Sequence, residues 1–575
     1  MILQALTAYY EAMAAKGAIA KPGRSQVRIG YALDLGEQGE LLGILPLEST
    51  DAKGKAVPRY LDMPAPVKRT VGISPNFLWD NSAYLLGVDQ KDNPERAKNC
   101  FAAAGKFHRN LLEPVHADAF AQAICRFFDI WNPDHAAEDP ILAPVYGEVT
   151  AGGNLTFTFR GQLPDQYDLF DRVWQAAQEP EAGGMKMRCL VTGDLAVPEK
   201  VHPSIKKVYG AQSSGAALIS FNAPAFCSYN REQNLNAPIS RYAAFAYTTA
   251  LNQLLSDGDH TRRFGDTTVV YWAEDAQTQY QDLFSCFLDW DTVTQQDLTG
   301  VMDALCAGKS CDWNALPIHP ENHFYVLGLA PNAARISVRF FIQDSFGALA
   351  EHFRQHFERL RIVRPAFDRD ENLPLWRLLR ETVNPKSRDK AASPQMAGDT
   401  LRAILTGGRY PATLYQQTML RVKAERDVPR GKAAIIKAYL MRNGNDPDYK
   451  EALTVELNAQ TQYLPYLLGR LFSVLEGLQL QANPGINTTI KDKYFTSACT
   501  TPAVVFPTLL KLAEKHLRKL DDRLRIYYSK QMGSILAAIT ESYPAHLSLS
   551  DQGIFQLGYY HQTQKRYSKS ETEKN

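Results

Sequence analysis

Residues 322–342 read "NHFYVLGLAPNAARISVRFFI". Both of its runs, "NHFYVLGLA" and "ARISVRFFI", have the β-branched and aromatic content of strands. They are the last strand-like runs in the chain. Upstream, "QVRIGYALDL" (26–35), "GELLGILPL" (39–47), "NLTFTFRG" (154–161), "KMRCLVTG" (186–193) and "TTVVYWAE" (267–274) read the same way. Between them lie helical patterns: "NPERAKNCFAAAGKFHRNLLE", "YDLFDRVWQAAQ" and "SRYAAFAYTTALNQLL". The alternation is irregular and broken by long Pro-, Gly- and Asn-rich connections. That argues against a barrel or a doubly wound sheet, and no repeat of solenoid period is present.

Downstream of about residue 375 the character changes. Residues 376–442 carry 14 Lys/Arg against 5 Asp/Glu, and "NPKSRDKAASPQMAG" reads as a polar loop or linker. Helical patterns follow: "YKEALTVELN", "LPYLLGRLFSVLEGLQLQ", "TPAVVFPTLLKLAEKHLRKL" and "RLRIYYSKQMGSILAAI". Pro502 suits a first helical turn and Gly485 a stop. The expected fold class is α+β and multidomain. An irregular mixed α/β region occupies 1–375, a basic connecting segment 376–442 and an all-α helical bundle 443–575.

The 575 residues are too many for one core. Net charge is +1 with 45% hydrophobic residues, so no global field marks a nucleic-acid binder and local charge must be read instead. The N-terminus lacks the layout of a signal peptide, and no apolar run reaches the ~18 residues of a membrane helix. The eight scattered cysteines read as reduced core residues of a cytoplasmic protein.

Enzyme motifs are sparse. "GAQSSG" (210–215) has the glycine spacing of a P-loop, but Ala216 and Ala217 stand where Lys and Ser/Thr are required. The loop is either a small-residue turn before a buried strand "AALISF" or a presenter of Gln212, Ser213 and Ser214 to a polar partner. Cys306, Cys311, His319 and His323 follow the order of a zinc finger, with a central spacer that is too short and with Pro320 between the histidines. The alternative function is therefore a metal-dependent nuclease or hydrolase using this Cys/His set, or His319, Glu321 and His323. His352 and His356 share one helix face, but Glu351 precedes the first His instead of following it as a metalloprotease base would. A solvated or groove-facing surface with Arg354, Arg359 and Arg361 is expected there. No cofactor and no catalytic activity are expected.

Nucleic-acid features are richer. In "VKRTVGISPNFLWDNSAYLLG" (67–87), Lys68 and Arg69 precede a Gly/Ser/Pro turn, then Asn76, Phe77, Trp79 and Asn81. Basic residues fix phosphates, and Asn offers the paired donor and acceptor that read a base edge. Equally, Phe77, Trp79 and Tyr84 can be core, with Asn81 a helix cap. Near the C-terminus, Lys511, Lys515, Arg518, Lys519, Arg523, Arg525 and Lys530 form a cationic stripe able to follow a backbone, or a solvated helix face.

Taken in order, "MILQALTAYYEAM", "SPNFLWDNSAYLLG", "CLVTGDLAVPEKVHPSIKKVYGAQSSGAALISFNAPAFCSYN", "NAPISRYAAFAYTTALNQLL", "RISVRFFIQDSFG", "YLLGRLFSVLE", "TPAVVFPTLLKLAEKHL" and "YPAHLSLSDQGIFQLGYYHQ" resemble the large subunit of the type I-C (Dvulg subtype) CRISPR surveillance complex, the minimal Cascade. The resemblance implies a non-catalytic subunit that recognises the protospacer-adjacent motif (PAM) in double-stranded target DNA. It also implies help with strand opening, stabilisation of the R-loop and docking of a helicase-nuclease. The guide RNA ribonucleoprotein, on Cascade backbone subunits, reads sequence by pairing. Lys68 and Arg69 would then hold PAM-side phosphates, with Ser74, Asn76 and Asn81 as base readers and Gln212 to Ser214 assisting. The C-terminal stripe would hold a strand. The resemblance further implies separate small subunits like this C-terminus, made by internal initiation; Met441 is one candidate start in this sequence, and a non-AUG codon near Leu453 or Val455 is equally compatible.

Overall fold

The computed structural model describes residues 1–50, 56–67, 72–89, 93–178, 185–289, 295–388 and 390–567. The chain divides into two compact units. The first comprises Met1–Pro203 with Ile219–Leu251, the second Ser204–Leu218 with Asn252–Asn575. The architecture is mixed α/β with open sheets and a helical C-terminal region, as expected.

The first unit is built on six strands: β1 (Arg24–Leu35), β2 (Leu41–Pro46), β3 (Glu48–Thr50), β4 (Ala56–Pro64), β5 (Trp79–Asn81) and β6 (Asn154–Phe159). Their order is β3-β4-β1-β6-β5, with β2 also on β1. Strand β1 is long enough to serve two neighbours on one edge. Its first half pairs antiparallel with β4 and its second half with β2, while its other edge runs parallel to β6. Alternation puts Ile29, Leu33 and Leu35 in the core. The helix Pro94–Leu112 starts with Pro at its first turn and Asn93 as cap. The helix Ala119–Ile130 starts from Asp118, which accepts hydrogen bonds from the amides of Phe120 and Ala121. Phe120, Phe127, Phe157, Phe170 and Trp174 fill the core of this unit. Buried Arg24 ties β1 to Asp62 of β4 and to Asp171 of the helix Asp168–Gln178.

The second unit has an antiparallel sheet of β7 (Thr261–Phe264), β8 (Thr267–Ala273), β9 (His323–Asn332) and β10 (Arg335–Ser345), in the order β10-β9-β8-β7. The quoted runs 322–342 are thus neighbours, paired from His323↔Ser345 to Asn332↔Arg335. Ser345 caps the helix Phe346–Leu360, and from there the chain is helical. One hydrophobic cluster runs continuously from Phe264 to Tyr560. At its centre Leu464–Ala482 packs side by side with Leu549–Tyr567, the two helices running in the same direction from Tyr463 on Asp551 to Ser473 on Thr563. A Cβ on Gly469 would lie 1.9 Å from the Phe555 carbonyl oxygen, and one on Gly558 2.2 Å from that of Tyr466. Only glycine admits so close an approach.

Several elements differ from expectation. In "KMRCLVTG" only Met187–Arg188 is extended; the chain then turns at Gly193, whose φ is +80° and whose amide donates to the Cys189 carbonyl. "AALISF" is not a strand: Ala216 and Ala217 make single bridges to Ile205 and Arg335. "YKEALTVELN" forms only the turn Lys450–Ala452, because Thr454 and Asn458 donate to the local carbonyls of Glu456 and Glu451 and compete with a helix. Strand β4, with Pro58 and Pro64, escaped the sequence pattern. The polar stretches 384–388 and 390–393 are loop, but the described residues of 376–442 otherwise fold into Leu375–Glu381, Pro394–Leu405, Ala412–Glu425 and Arg430–Asn443. All four helices contribute to the second unit's core. Among the described residues no helix is long and apolar enough to cross a membrane.

Candidate nucleic-acid interface

The segment 72–84 is held by side chains from several elements of the first unit. Leu78 holds a φ of +67°, a conformation costly for a side chain of its type. Buried groups fix it from both sides. Its amide donates to His108 Nε2 at 2.9 Å, and its carbonyl accepts from Thr156 Oγ1 at 2.8 Å. His108 donates from Nδ1 to the Ala104 carbonyl, so the neutral tautomer is dictated, and burial lowers its pKa to about 4. Trp79 Nε1 donates to the Pro64 carbonyl at 2.8 Å. These contacts over-determine a strained turn, as expected where a loop must be held in one shape.

Asn76 is buried at 4% exposure. Its Oδ1 accepts the Val67 amide at 2.9 Å, and its own amide donates to Asp80 Oδ2. Asn81 accepts from the Ala83 amide and caps the short helix Ser82–Leu85. Ser74 is half-buried, its amide donating to the Tyr84 hydroxyl. The structure therefore brings Ser74, Asn76 and Asn81 together as parts of one clamp, and their present bonds are scaffold bonds. Lys68 and Arg69 lie outside the described residues.

Gln212, Ser213 and Ser214 are exposed at the tip of a turn in the second unit. The turn is closed by the Gly215 amide donating to the Gln212 carbonyl, and by reciprocal bonds between Ile205 and Ala216. Gly210 and Gly215 have φ of +76° and +96°, so both glycines are required by backbone conformation. Ala217 then joins the start of β10 through Ala334 and Ile336.

The C-terminal stripe lies on Pro502–Leu517 and Asp522–Ala538, which exposes Lys511, Lys515, Arg518, Lys519, Arg523, Arg525 and Lys530. Arg525 pairs with Asp522, and Lys519 donates to Asn483. Lys511, Lys515, Arg518 and Arg523 make no ion pair among the described residues. Elsewhere, cations that looked available are committed. Arg430 is buried on Asp368, Lys432 on Glu425, and Lys437 donates to the Arg359 carbonyl with its pKa lowered to about 8 by burial.

The Cys/His set does not converge. His319 bonds Ser310, and burial raises Cys306 to about 12, beside Glu351. Among the described residues no group of three or more His, Cys, Asp or Glu could hold a metal ion. The expected solvated face at His352 and His356 is corrected. His356 is buried on the Tyr410 hydroxyl, with its pKa lowered to about 3 by burial, and His352 meets the Leu405 carbonyl. Arg354 is held by Glu351 and Glu358. Sequence reasoning missed Leu78 and His108, because neither a positive φ nor a buried neutral histidine has a local pattern. It also missed Tyr229, which is 93% exposed on a loop whose backbone Asn236 ties at Ser228, Arg231 and Gln233.

No curated protein matches the chain. A family model described as CRISPR-associated protein (Cas_Csd1) matches residues 6–567. That match runs through the clamped turn, the glycine-bounded loop and the cationic helices alike, and the chain belongs to the Cas_Csd1 family of CRISPR-associated proteins.

Proposed function

We propose that this chain is the non-catalytic large subunit of a type I-C RNA-guided interference complex. In this reading it recognises the PAM in duplex DNA, aids strand opening and docks the helicase-nuclease. The observation that carries the reading is family membership across nearly the whole chain. The clamped turn supports a location. Asn76 ties Val67 to the turn, and Lys68 and Arg69 are the next residues in sequence after Val67. The buried bonds of the turn hold its own residues in one shape, which lowers the ordering cost they would pay on binding DNA. Phosphate contacts position such a segment, and its polar groups read base edges.

The test replaces Lys68 and Arg69 together by Ala in the assembled complex. Binding to PAM-bearing duplex should fall, while binding to a complementary single strand, which needs no opening, should hold. Equal binding of the variant and the parent to PAM-bearing duplex would remove this segment from recognition.

A further inference from the structure

The second unit contains a groove that no sequence motif announced. On the short helix Leu375–Glu381, Leu375, Leu378 and Leu379 face the core. Trp376 and Arg380, four apart on the same face, are left outward, and Trp376 is 42% exposed. Also lining the space are the turn between β7 and β8 and Tyr209, a residue 50% exposed. Tyr209 is fixed in place: its amide donates to Thr268 Oγ1 at 3.0 Å, and the Arg263 guanidinium covers its ring. The space enclosed is about 540 Å³. A second space of about 490 Å³ adjoins it, sharing Trp376, Arg380 and Lys390.

Among the described residues the first space is weighted towards cations. Arg380 and Lys390 make no ion pair among the described residues, and Arg263 bonds only a carbonyl and a ring. The carboxylate facing the first space, Asp266, is committed to Arg339. In the adjoining space Asp370 is committed to Arg377 and Glu425 to Arg421 and Lys432, while Glu381 has its pKa raised by burial. Cations without carboxylate partners beside the exposed Trp376 and the half-exposed Tyr209 suit a ligand that alternates flat rings with anions. A polynucleotide strand with unpaired bases has that chemistry. An acidic peptide would use the cations and leave the rings idle.

We propose that this groove holds a segment of unpaired DNA, with one base stacked on Trp376 and flanking phosphates on Arg380 and Arg263. The inference rests on the DNA-opening reading above, which supplies an unpaired DNA strand, and it adds a site to that reading.

The test uses the complex purified through this chain and loaded with target duplex. In one arm the displaced strand carries 5-iodo-deoxyuridine; in the other the guide RNA carries 5-iodouridine. Irradiation followed by peptide mapping should join the displaced strand to Trp376 or Tyr209. Trp376→Ala should remove the adduct and weaken strand retention roughly tenfold, while Trp376→Phe should keep most of the retention. Target binding with no adduct, or an adduct only from the guide RNA, overturns the groove assignment and leaves the reading above standing. A complex that binds no target overturns both.

Discussion

His108 shows how one residue carries a local design. Its ring is buried and neutral, and it satisfies the amide of a residue with positive φ. Its folded pKa of about 4 lies below the ordinary 6.5. The unfolded chain therefore binds the proton more readily, and the contribution to stability is full above pH 6.5 and lost as pH falls towards 4. The shift corresponds to about 3 kcal/mol. We expect His108→Leu to lose about 1–3 kcal/mol at pH 7.5, because the Leu78 amide loses its acceptor. The variant should also show a shallower acid loss than the parent. Urea unfolding across pH, with hydrogen exchange in Pro94–Leu112, measures both. An unchanged acid slope would mean that His108 does not titrate on unfolding. The sequence offered Asn81 as either cap or base reader; the cap is formed, while Asn76 ties Val67 to the turn, a contact that no spacing rule foretells.

At the scale of elements, the central crossing depends on two glycines. Gly469→Ala or Gly558→Ala would press a methyl group into a facing carbonyl. Each should cost about 1–3 kcal/mol, read as a lower thermal midpoint; a neutral result would mean the helices separate without penalty. The stripe on Pro502–Leu517 makes a different expectation. Charge neutralisation of Lys511, Lys515 and Arg518 should lower the log–log salt slope of DNA binding by roughly 2, at 0.7–0.9 per phosphate contact. An unchanged slope would leave the stripe a solvated face. Strong periodicity made most long elements legible: β1, β2, β6, β8, β9, β10 and the helices at 94, 241, 464 and 502 lie where the pattern puts them. What failed was decided elsewhere. Side chains of Thr454 and Asn458 undid a helix, and a strand with two prolines formed because β1 and β3 flank it. The basic run 376–442 misled because charge was counted without partners, and several of its cations are buried on carboxylates or carbonyls.

At the scale of the molecule, the C-terminal helices do not stand apart from what precedes them. Tyr560 donates to the Val363 carbonyl, and Tyr415 to that of Leu549. A Cβ on Gly553 would meet the Tyr415 hydroxyl and Ile436. A fragment starting at Met441 would lack all three partners and expose one face of Leu549–Tyr567. If such fragments are made as separate subunits, they should self-associate when purified alone. Light scattering of the purified fragment checks this, and a stable monomer would contradict it. The central claim, that this chain confers PAM-dependent recognition, is tested most directly by one binding measurement. Complexes with and without the chain are compared on duplexes differing only at the PAM. The account expects the PAM-bearing duplex to be preferred only when the chain is present; a preference that survives its removal would contradict it.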